Sequence, residues 1–289
     1  MAEKLGDILI ADAGSTKTDW IVADSSGNIL SRQTLNGINV TTQDPDVQLE
    51  ILQNAKKAIP GIKEMGQIFF YAAGCNTAEK SNETAKKIQT IWGVNKVSVY
   101  SDLLGAARAL FGNGKGIACI LGTGSNSCLY NGKEIIKQIP SLGYILGDEG
   151  SGTALGKRLI NALYKEDLSE EIKDSFEKEY HLNLPVIIDK TYRSASPNSF
   201  LSSFSPFIKK YENDTKMADM ITEEFKLFFD RNVCKYKEAK DLEIKITGSI
   251  ALHFKNFVKK AASLSGLKIN EIVPYPIDRL IEFHLKNES

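Results

Sequence analysis

The sequence predicts an α/β protein made of two domains with related topology. Its 289 residues are 42% hydrophobic and 25% charged, enough to bury two cores of ordinary size. In the N-terminal part, apolar strand patterns alternate with amphipathic helix patterns, which is typical of a three-layer α/β domain. The strand–turn–strand pattern that opens the chain returns about 110 residues later, which indicates an internal duplication.

The first domain is predicted to span residues 1–110. Three strands at 8–12, 17–24 and 29–34 are separated by short turns rich in Gly, Ser, Thr and Asn, the pattern of consecutive hairpins. The remaining elements alternate along the chain as a helix at 46–59, a strand at 68–73, a helix at 81–92, a strand at 96–100 and a helix at 103–111.

The second domain is predicted to span residues 111–275. It repeats the opening pattern, with strands at 117–121, 126–130 and 133–137. After these come a mainly helical stretch at 151–240, a strand at 243–247, a tight turn at Gly248-Ser249, a helix at 250–264 and a strand at 267–273. A final helix at 276–289 begins with proline in its first turn, and we expect it to pack back on the first domain.

Charge and hydropathy exclude several classes of partner. Lys+Arg and Asp+Glu both number 36, so the net charge is zero and no basic field exists to hold nucleic acid or an anionic membrane surface. No run of about 18 apolar residues occurs, and the start of the chain lacks a basic segment leading into an apolar one. We therefore expect a cytoplasmic protein without nucleic-acid or membrane partners.

Cysteine and histidine give no sign of a metal site. The four cysteines lie far apart without CxxC spacing, and we expect small buried thiols on or near strands at Cys75, Cys119, Cys128 and Cys234. The three histidines are isolated, which predicts surface or packing roles for His181, His253 and His284.

A loop suited to phosphate follows the first strand. The absence of a Cβ at Gly14 lets backbone N–H groups approach an anion, while nearby hydroxyls and the Lys17 amine add donors. Asp12, at the end of the strand, is suited to hydrated Mg²⁺. By itself such a turn is often only structural. The residues predicted to contact the phosphates of ATP here are Gly14, Ser15, Thr16, Lys17 and Thr18.

A second loop offers the same groups from the second domain. It consists of Gly122, Thr123, Gly124 and Ser125. Two such loops at equivalent positions in duplicated halves favour a clamp for the phosphates of Mg-ATP over two structural turns, with the ligand between the domains. Neither loop fits the GxxxxGK[ST] pattern, so a P-loop enzyme is excluded.

The motifs resemble those of the actin, heat-shock chaperone and sugar kinase superfamily. Asp12–Thr18, Gly122–Ser125 and Gly248-Ser249 are similar to its phosphate-1, phosphate-2 and adenosine motifs. Within that superfamily, Leu121–Asn126 and Leu146–Gly152 closely resemble the N-acetylglucosamine kinases and the related BadF-type ATPases. The resemblance spans nearly the whole chain. It implies two ribonuclease H-like domains of the actin-like ATPase fold, with Mg-ATP in an interdomain cleft that closes over the substrate.

Asp102 stands at the junction of a predicted strand and helix. From the residues alone it is either a helix N-cap or a reactive carboxylate at a strand end. The resemblance favours the second reading, because Asp102 matches the catalytic aspartate of the family. In that role it accepts the proton of the sugar hydroxyl as the oxygen attacks the γ-phosphate of ATP.

The resemblance also implies the sugar-binding residues. From the residues alone, Asp148 and Glu149 in a Gly-flanked turn equally suit helix capping, and Asn39 suits a turn. One departure concerns Ser141–Tyr144, where the animal N-acetylglucosamine kinases carry Gly-Trp-Gly, so stacking of the sugar on that tryptophan is not expected. The implied sugar ligands are Asn39, Asp102, Gly143, Asp148 and Glu149.

Two functions follow from the resemblance. The first is phosphorylation of N-acetylglucosamine or a related amino sugar by Mg-ATP, with a homodimer allowed. The second is a BadF-type ATPase that acts on a protein partner. BadF-type activators hold an iron–sulfur cluster at a dimer interface, and the placement of Cys119 and Cys128 on predicted strands counts against one here. A filament or chaperone module is disfavoured, because the chain lacks the length and a peptide-binding β-domain.

Overall fold

The computed structural model describes residues 6–41, 43–59 and 65–287. Residues 1–5 of the predicted first domain, and residues 288 and 289 of the predicted C-terminal helix, lie outside the described residues. The chain forms two compact units. The first comprises Met1–Gly114, Gly132–Glu134 and Tyr275–Ser289, and the second comprises Lys115–Asn131 and Ile135–Pro274.

The first unit is built on a five-stranded mixed sheet. Its strands are β1 (Asp7–Ala13), β2 (Lys17–Ala23), β3 (Ile29–Asn36), β4 (Met65–Ala72) and β5 (Val97–Ser101). They lie in the order β3-β2-β1-β4-β5. The first three pair antiparallel as two hairpins, and β4 joins β1 and β5 in parallel. The predicted opening hairpins are therefore confirmed.

The second unit repeats this sheet. Its strands are β6 (Gly116–Leu121), β7 (Ser125–Tyr130), β8 (Ile135–Ile139), β9 (Ile244–Thr247) and β10 (Ile269–Val273). The order is β10-β9-β6-β7-β8, with two antiparallel pairs and two parallel pairs in the equivalent places. The predicted duplication of topology is confirmed. The third strand begins two residues later than expected.

Helices supply the rest of the regular structure. No helix in the described part of the chain is long and apolar enough to cross a membrane. The stretch at 151–240 was predicted to be mainly helical. Six consecutive helices occur in it, which confirms the prediction. In chain order the helices are α1 (Pro45–Ala58), α2 (Ala78–Trp92), α3 (Asp102–Phe111), α4 (Gly143–Leu146), α5 (Gly152–Tyr164), α6 (Glu170–Tyr180), α7 (Leu184–Arg193), α8 (Pro197–Ser202), α9 (Ser205–Lys210), α10 (Thr215–Arg231), α11 (Ser249–His253), α12 (Lys255–Leu264) and α13 (Pro276–Asn287).

The sheet of the first unit has a hydrophobic cluster on each face. Side chains alternate along a strand, so Leu9 faces one cluster while Ile8 faces the other. Leu52 of α1 and Ile88 of α2 belong to the Leu9 cluster, whereas α13 contributes Leu280 to the opposite one. Helices therefore cover both faces, which gives the predicted three-layer arrangement.

A single large cluster holds the second unit together. It joins β6 and β9 to α5, α10 and α12, and it contains buried rings such as Phe225 and Phe228 of α10. Leu121, the last residue of β6, belongs to the same cluster. The core therefore anchors both α10 and the strand that leads into the second predicted phosphate loop.

Two local predictions were wrong. The helix predicted at 250–264 is divided at Phe254, which leaves helical backbone angles (φ −106°, ψ 27°) and buries its ring in the core. Cys234 is exposed rather than buried, because it lies in a short 3₁₀ turn at Val233–Lys235 that follows α10. The other three cysteines are buried as expected.

Candidate functional site

Two carboxylates lie at one edge of the first sheet. Because β1, β4 and β5 run parallel, their carboxyl ends meet at the same edge. Asp12 is the penultimate residue of β1, and Asp102 directly follows β5 as the first residue of α3. Both residues are half-buried. The topology of the sheet, rather than any sequence spacing, brings them together.

The N-cap of α3 is Ser101 and not Asp102. The Ser101 Oγ accepts a hydrogen bond from the Leu104 N–H at 3.2 Å, the usual geometry of a capping serine. Asp102 Oδ1 accepts from the N–H of Leu103, its own neighbour, at 2.8 Å. The N-cap position therefore belongs to Ser101, although the Asp102 carboxylate still accepts from one of the first free N–H groups of α3.

Burial raises the pKa of both carboxylates. Burial, then the charges of Asp102 and Asp19, raise the pKa of Asp12 to about 7, while Lys17 opposes them. Burial also raises the pKa of Asp102, against the hydrogen bond from Leu103. Perturbed carboxylates at a strand edge are typical of functional sites, since the fold maintains an unfavourable charge there.

The chemistry of these carboxylates fits Mg²⁺ held mainly through water and phosphate. A cation beside Asp12 would relieve the repulsion that raises its pKa. Within the described ranges, no group of three or more His, Cys, Asp or Glu side chains could form a metal cage. Such a cage is not needed, because protein Mg²⁺ sites usually supply one or two carboxylates and leave the rest to water and substrate phosphates.

The first predicted phosphate loop is the tip of the β1–β2 hairpin. The N–H of Gly14 donates to the Lys17 carbonyl at 2.9 Å and closes the turn, which leaves Ser15 and Thr16 at its tip. Thr18 is fully buried, and its Oγ1 donates to the Asn36 carbonyl. Lys17 Nζ lies 2.7 Å from Asp19 Oδ2. The tip residues are therefore better placed for a ligand than Thr18.

Asn39 and Gly37 brace this loop. The Asn39 side-chain amide donates to Ser15 Oγ at 3.1 Å, which brings the predicted sugar ligand against the predicted phosphate loop. The Gly37 N–H donates to the Thr16 carbonyl at 3.1 Å, and a Cβ on Gly37 would lie 2.5 Å from the Gly14 carbonyl oxygen. Sequence reasoning missed Gly37, although Asn-Gly after a strand is a recognisable turn signal.

The second predicted phosphate loop lies over the carboxylate of Asp148. The Ser125 N–H donates to Asp148 Oδ1 at 3.2 Å, and a Cβ on Gly124 would lie 3.1 Å from Asp148 Oδ2. The N–H of Gly122 donates to the Gly124 carbonyl at 2.9 Å. Asp148 is buried, with φ 58° in the left-handed region. The contact between Asp148 and the loop was not anticipated from the sequence.

The start of α5 is bonded to the same loop. The Gly152 N–H donates to the Gly122 carbonyl at 2.9 Å, and Thr153 Oγ1 donates to the Thr123 carbonyl at 2.6 Å. Ser151 caps α5 through the N–H of Ala154. Thr153 is a further residue that sequence reasoning missed, because its partner lies 30 positions away.

The other two predicted sugar ligands of this unit have different surroundings. Glu149 Oε1 lies 3.0 Å from Arg231 Nη1, and its Oε2 accepts from Asn232 Nδ2 at 3.4 Å. Gly143 is exposed at the start of α4, and a Cβ there would meet open space. Neither Glu149 nor Gly143 has a contact with the second phosphate loop of the kind that Asp148 makes with the Ser125 N–H.

The predicted adenosine turn lies against the end of β6. Gly248 has φ 114°, and a Cβ on it would lie 2.2 Å from the Leu121 carbonyl oxygen. Glycine is therefore required here by the fold itself. Ser249 is exposed and begins α11. Gly248 thus lies directly beside the residue that precedes the second phosphate loop.

The chain is similar in sequence and fold to known proteins. Residues 11–277 match the model of the BadF/BadG/BcrA/BcrD ATPase family. No curated protein matches the chain significantly. A Porphyromonas gingivalis protein assigned as an N-acetylglucosamine kinase is 38% identical over 98% of this chain and 100% of its own, with a TM-score of 0.91.

Two more distant structures share the fold. A Chromobacterium violaceum protein, also assigned as an N-acetylglucosamine kinase, is 15% identical over 98% of this chain and 99% of its own, with a TM-score of 0.73. A ROK family glucokinase from Streptomyces griseus, solved with glucose and AMPPNP, is 14% identical over 96% of this chain and 98% of its own, with a TM-score of 0.60. The predicted two-domain actin-like ATPase fold is confirmed.

Proposed function

Because the chain belongs to the BadF/BadG/BcrA/BcrD ATPase family, we propose that it is an ATP-dependent sugar kinase. It transfers the γ-phosphate of Mg-ATP to a hydroxyl of N-acetylglucosamine or a related amino sugar. The similarity to the Porphyromonas gingivalis protein over the full length of both chains supports this class of substrate. The proposal rests above all on one observation, the pair of perturbed carboxylates at the edge of the first sheet.

Asp102 is the proposed general base. Its raised pKa makes it a stronger base than an ordinary carboxylate, which suits removal of a hydroxyl proton near neutral pH. Its Oδ1 is oriented by the Leu103 N–H, and helix capping is left to Ser101. The base accepts the proton of the sugar hydroxyl while that oxygen forms its bond to the γ-phosphorus and the bond from phosphorus to ADP breaks.

Asp12 is the proposed residue for Mg²⁺, held through water. When bound, the ion supplies positive charge that neutralises the phosphate oxygens. The residues of the two loops position the phosphates: Gly14, Ser15, Thr16, Lys17 and Thr18 in the first, and Gly122, Thr123, Gly124 and Ser125 in the second. Phosphoryl transfer depends mainly on such positioning and charge neutralisation. Gly248 and Ser249 keep their proposed role at the adenosine.

The proposed sugar ligands differ in how strongly their surroundings support them. Asn39 contacts Ser15 and lies in the same unit as Asp102. Asp148 is buried beside the second loop, whereas the carboxylate of Glu149 is engaged with α10. We therefore rank Asn39, Asp102 and Asp148 above Glu149. Gly143 can contribute only backbone groups.

An ATPase acting on a protein partner is the second candidate, favoured by the family match alone. An iron–sulfur cluster shared between two subunits requires cysteines that reach the surface. Of the four cysteines here only Cys234 is exposed, while Cys119 and Cys128 are fully buried on β6 and β7. The cysteine arrangement therefore does not favour the activator type of mechanism.

Release of ADP by the purified protein distinguishes the two candidates. The protein is mixed with Mg-ATP and, in separate reactions, with N-acetylglucosamine, N-acetylmannosamine, glucosamine or glucose. A sugar kinase will release ADP in proportion to a phosphorylated sugar detected by mass spectrometry. The Asp102→Asn variant serves as the control for contaminating kinases. ATP hydrolysis that no sugar stimulates would overturn the sugar kinase proposal in favour of the second candidate.

A further inference from the structure

The turn Gly147–Ser151, which carries Asp148, is held from two sides. On one side, Asp148 and the start of α5 contact the second phosphate loop. On the other side lies α10. The Gly150 N–H donates to Glu224 Oε1 at 2.9 Å, and a Cβ on Gly150 would lie 2.8 Å from the Cβ of Phe228. The turn is therefore packed between the loop and the helix.

Glu224 is an unusual residue for the inner face of a helix. It is 4% exposed, and its second carboxylate oxygen lies 2.5 Å from Arg158 Nε of α5. Withdrawing a carboxylate from water is costly unless its oxygens are satisfied, and a buried ion pair is weak evidence of a stabilising role. Replacing a buried ion pair by hydrophobic residues is often neutral or stabilising, so this carboxylate points to a role other than stability.

The backbone conformation of the turn indicates what the Glu224 carboxylate does. Asp148 has φ 58° and Gly150 has φ 74°, both in the left-handed region. A non-glycine residue such as Asp148 holds this conformation at an energetic cost, so surrounding contacts must maintain it. The hydrogen bond from Gly150 to Glu224 is one such contact, two residues from Asp148. Losing it would remove one of the contacts that keep the Asp148 carboxylate at Ser125, while the Asp148 N–H would still donate to the Ser141 carbonyl at 3.0 Å.

We propose that Glu224 is a positioning residue for the second phosphate loop. Its carboxylate fixes Gly150, the fixed turn presents the Asp148 carboxylate to the Ser125 N–H, and this bond holds the loop in a conformation ready for phosphate. The role rests on the proposed function, since it assumes that the loop binds nucleotide. The role also links the helical part of the second unit to the site, since Glu224 of α10 lies 74 residues after Gly150.

Three substitutions separate the hydrogen bond from the ion pair. Glu224→Asp keeps the charge but withdraws the carboxylate by about 1.5 Å, one carbon–carbon bond. Glu224→Gln keeps an acceptor for Gly150 but removes the charge that faces Arg158. Glu223→Gln is the matched control, because Glu223 is the neighbouring residue on α10 and bonds the same Arg158 from an exposed position.

The readouts are amide hydrogen exchange in segments 122–125 and 147–152 without nucleotide, affinity for Mg-AMPPNP by calorimetry, and melting temperature. We expect Glu224→Asp to raise exchange in both segments and to weaken nucleotide binding by about tenfold, the effect of one lost hydrogen bond. Glu224→Gln and the control should stay near the wild type in both measurements, even where their melting temperatures fall.

The proposal would be overturned by unchanged exchange in Glu224→Asp, or by Glu224→Gln loosening the two segments as much as Glu224→Asp. The second result would assign the role to the ion pair. A wild-type protein that binds no nucleotide would overturn the proposed function. Hydrogen exchange is measured without nucleotide. It would therefore still test whether Glu224 holds the turn and the second loop in place.

Discussion

The Gly37 N–H donates a hydrogen bond to the Thr16 carbonyl, 3.1 Å away. This bond connects the residue that follows β3 to the tip of the first phosphate loop. A Cβ on Gly37 would lie 2.5 Å from the Gly14 carbonyl oxygen and 2.6 Å from the carbonyl carbons of Ser15 and Thr16. Such distances require the backbone of one segment to shift.

Gly37→Ala is therefore expected to distort the loop before any ligand binds. Both the melting temperature and the affinity for Mg-AMPPNP should fall. Gly14→Ala is the matched control, since its Cβ would be only 3.4 Å from the Lys17 carbonyl oxygen, an ordinary contact. We expect that variant to melt like the wild type but to bind nucleotide more weakly, because the Cβ occupies the space where a phosphate approaches. Wild-type affinity in both variants would contradict the loop assignment.

The second loop allows a similar comparison between two glycines. Gly124→Ala should weaken nucleotide binding, because the Cβ would press on the Asp148 carboxylate at 3.1 Å and disturb its bond to Ser125. Gly122→Ala should have a smaller effect on the loop, since the nearest atom to its Cβ is 4.0 Å away. Calorimetric titration with Mg-AMPPNP measures both. Because a Cβ on Gly122 can also meet a phosphate, amide hydrogen exchange in segment 122–125 without nucleotide tests the loop itself. Equal exchange in the two variants would show that the contact with Asp148 does not shape the loop.

Most of the fold could be predicted from the sequence, because it depends on local patterns. The helix expected at 103–111 occurs at Asp102–Phe111, and both hairpins occur where alternating residues and turn signals placed them. The break at Phe254 could not be predicted in this way. The helical pattern continues through it, and the Phe254 ring at the break is buried in a core assembled from distant segments.

Only part of the candidate site could be predicted, because contacts between residues that are distant in sequence leave no local pattern. Carboxylates and glycine-rich loops are visible in the sequence as residue types. Their mutual contacts are not, because Ser125 and Asp148 are 23 residues apart and Gly150 and Glu224 are 74 apart. One error was avoidable. Ser101 is as good an N-cap as Asp102 and stands one residue earlier, where the strand ends.

His284 provides a pH test of the first unit. Its ring stacks on Phe69 with centroids 3.5 Å apart, and its Nε2 lies 2.8 Å from the Tyr71 hydroxyl. Burial, and then the charge of Arg108, lower its pKa to about 3. Below pH 6.5 the unfolded chain binds a proton that folded His284 does not, so the free energy of unfolding decreases as pH falls from 6.5 towards 3.

This contribution amounts to about 1.4 kcal/mol per pH unit in that range. His284→Gln removes the titrating group, so the stability difference between wild type and variant should shrink as pH falls. Urea unfolding at pH 7, 5.5 and 4.5 measures the difference. His253→Gln, at an exposed histidine, is the control for the substitution itself. A difference that stays constant with pH would show that His284 titrates alike in both states.

Asp102 gives the most decisive test, because the cap and the base now belong to different residues. Ser101→Ala removes the cap of α3 and should cost about 1 kcal/mol of stability, with kcat nearly unchanged. Asp102→Asn leaves the cap intact and removes the base. Melting temperature and affinity for Mg-ATP should be retained. The pKa of Asp12 should fall, since Asp102 is one of the charges that raise it.

Turnover distinguishes the two variants. For Asp102→Asn we expect kcat to fall by roughly 10²–10⁴, the usual effect of losing a positioned base. The assay must follow phosphorylation of the sugar that best stimulates ADP release, because slow hydrolysis of ATP by water does not depend on the base in the same way. If Asp102→Asn melts normally, binds Mg-ATP normally and phosphorylates the sugar at the wild-type rate, Asp102 is not the general base. A loss of turnover in Ser101→Ala as large as in Asp102→Asn would instead mean that the position of α3, and not the carboxylate, limits the reaction.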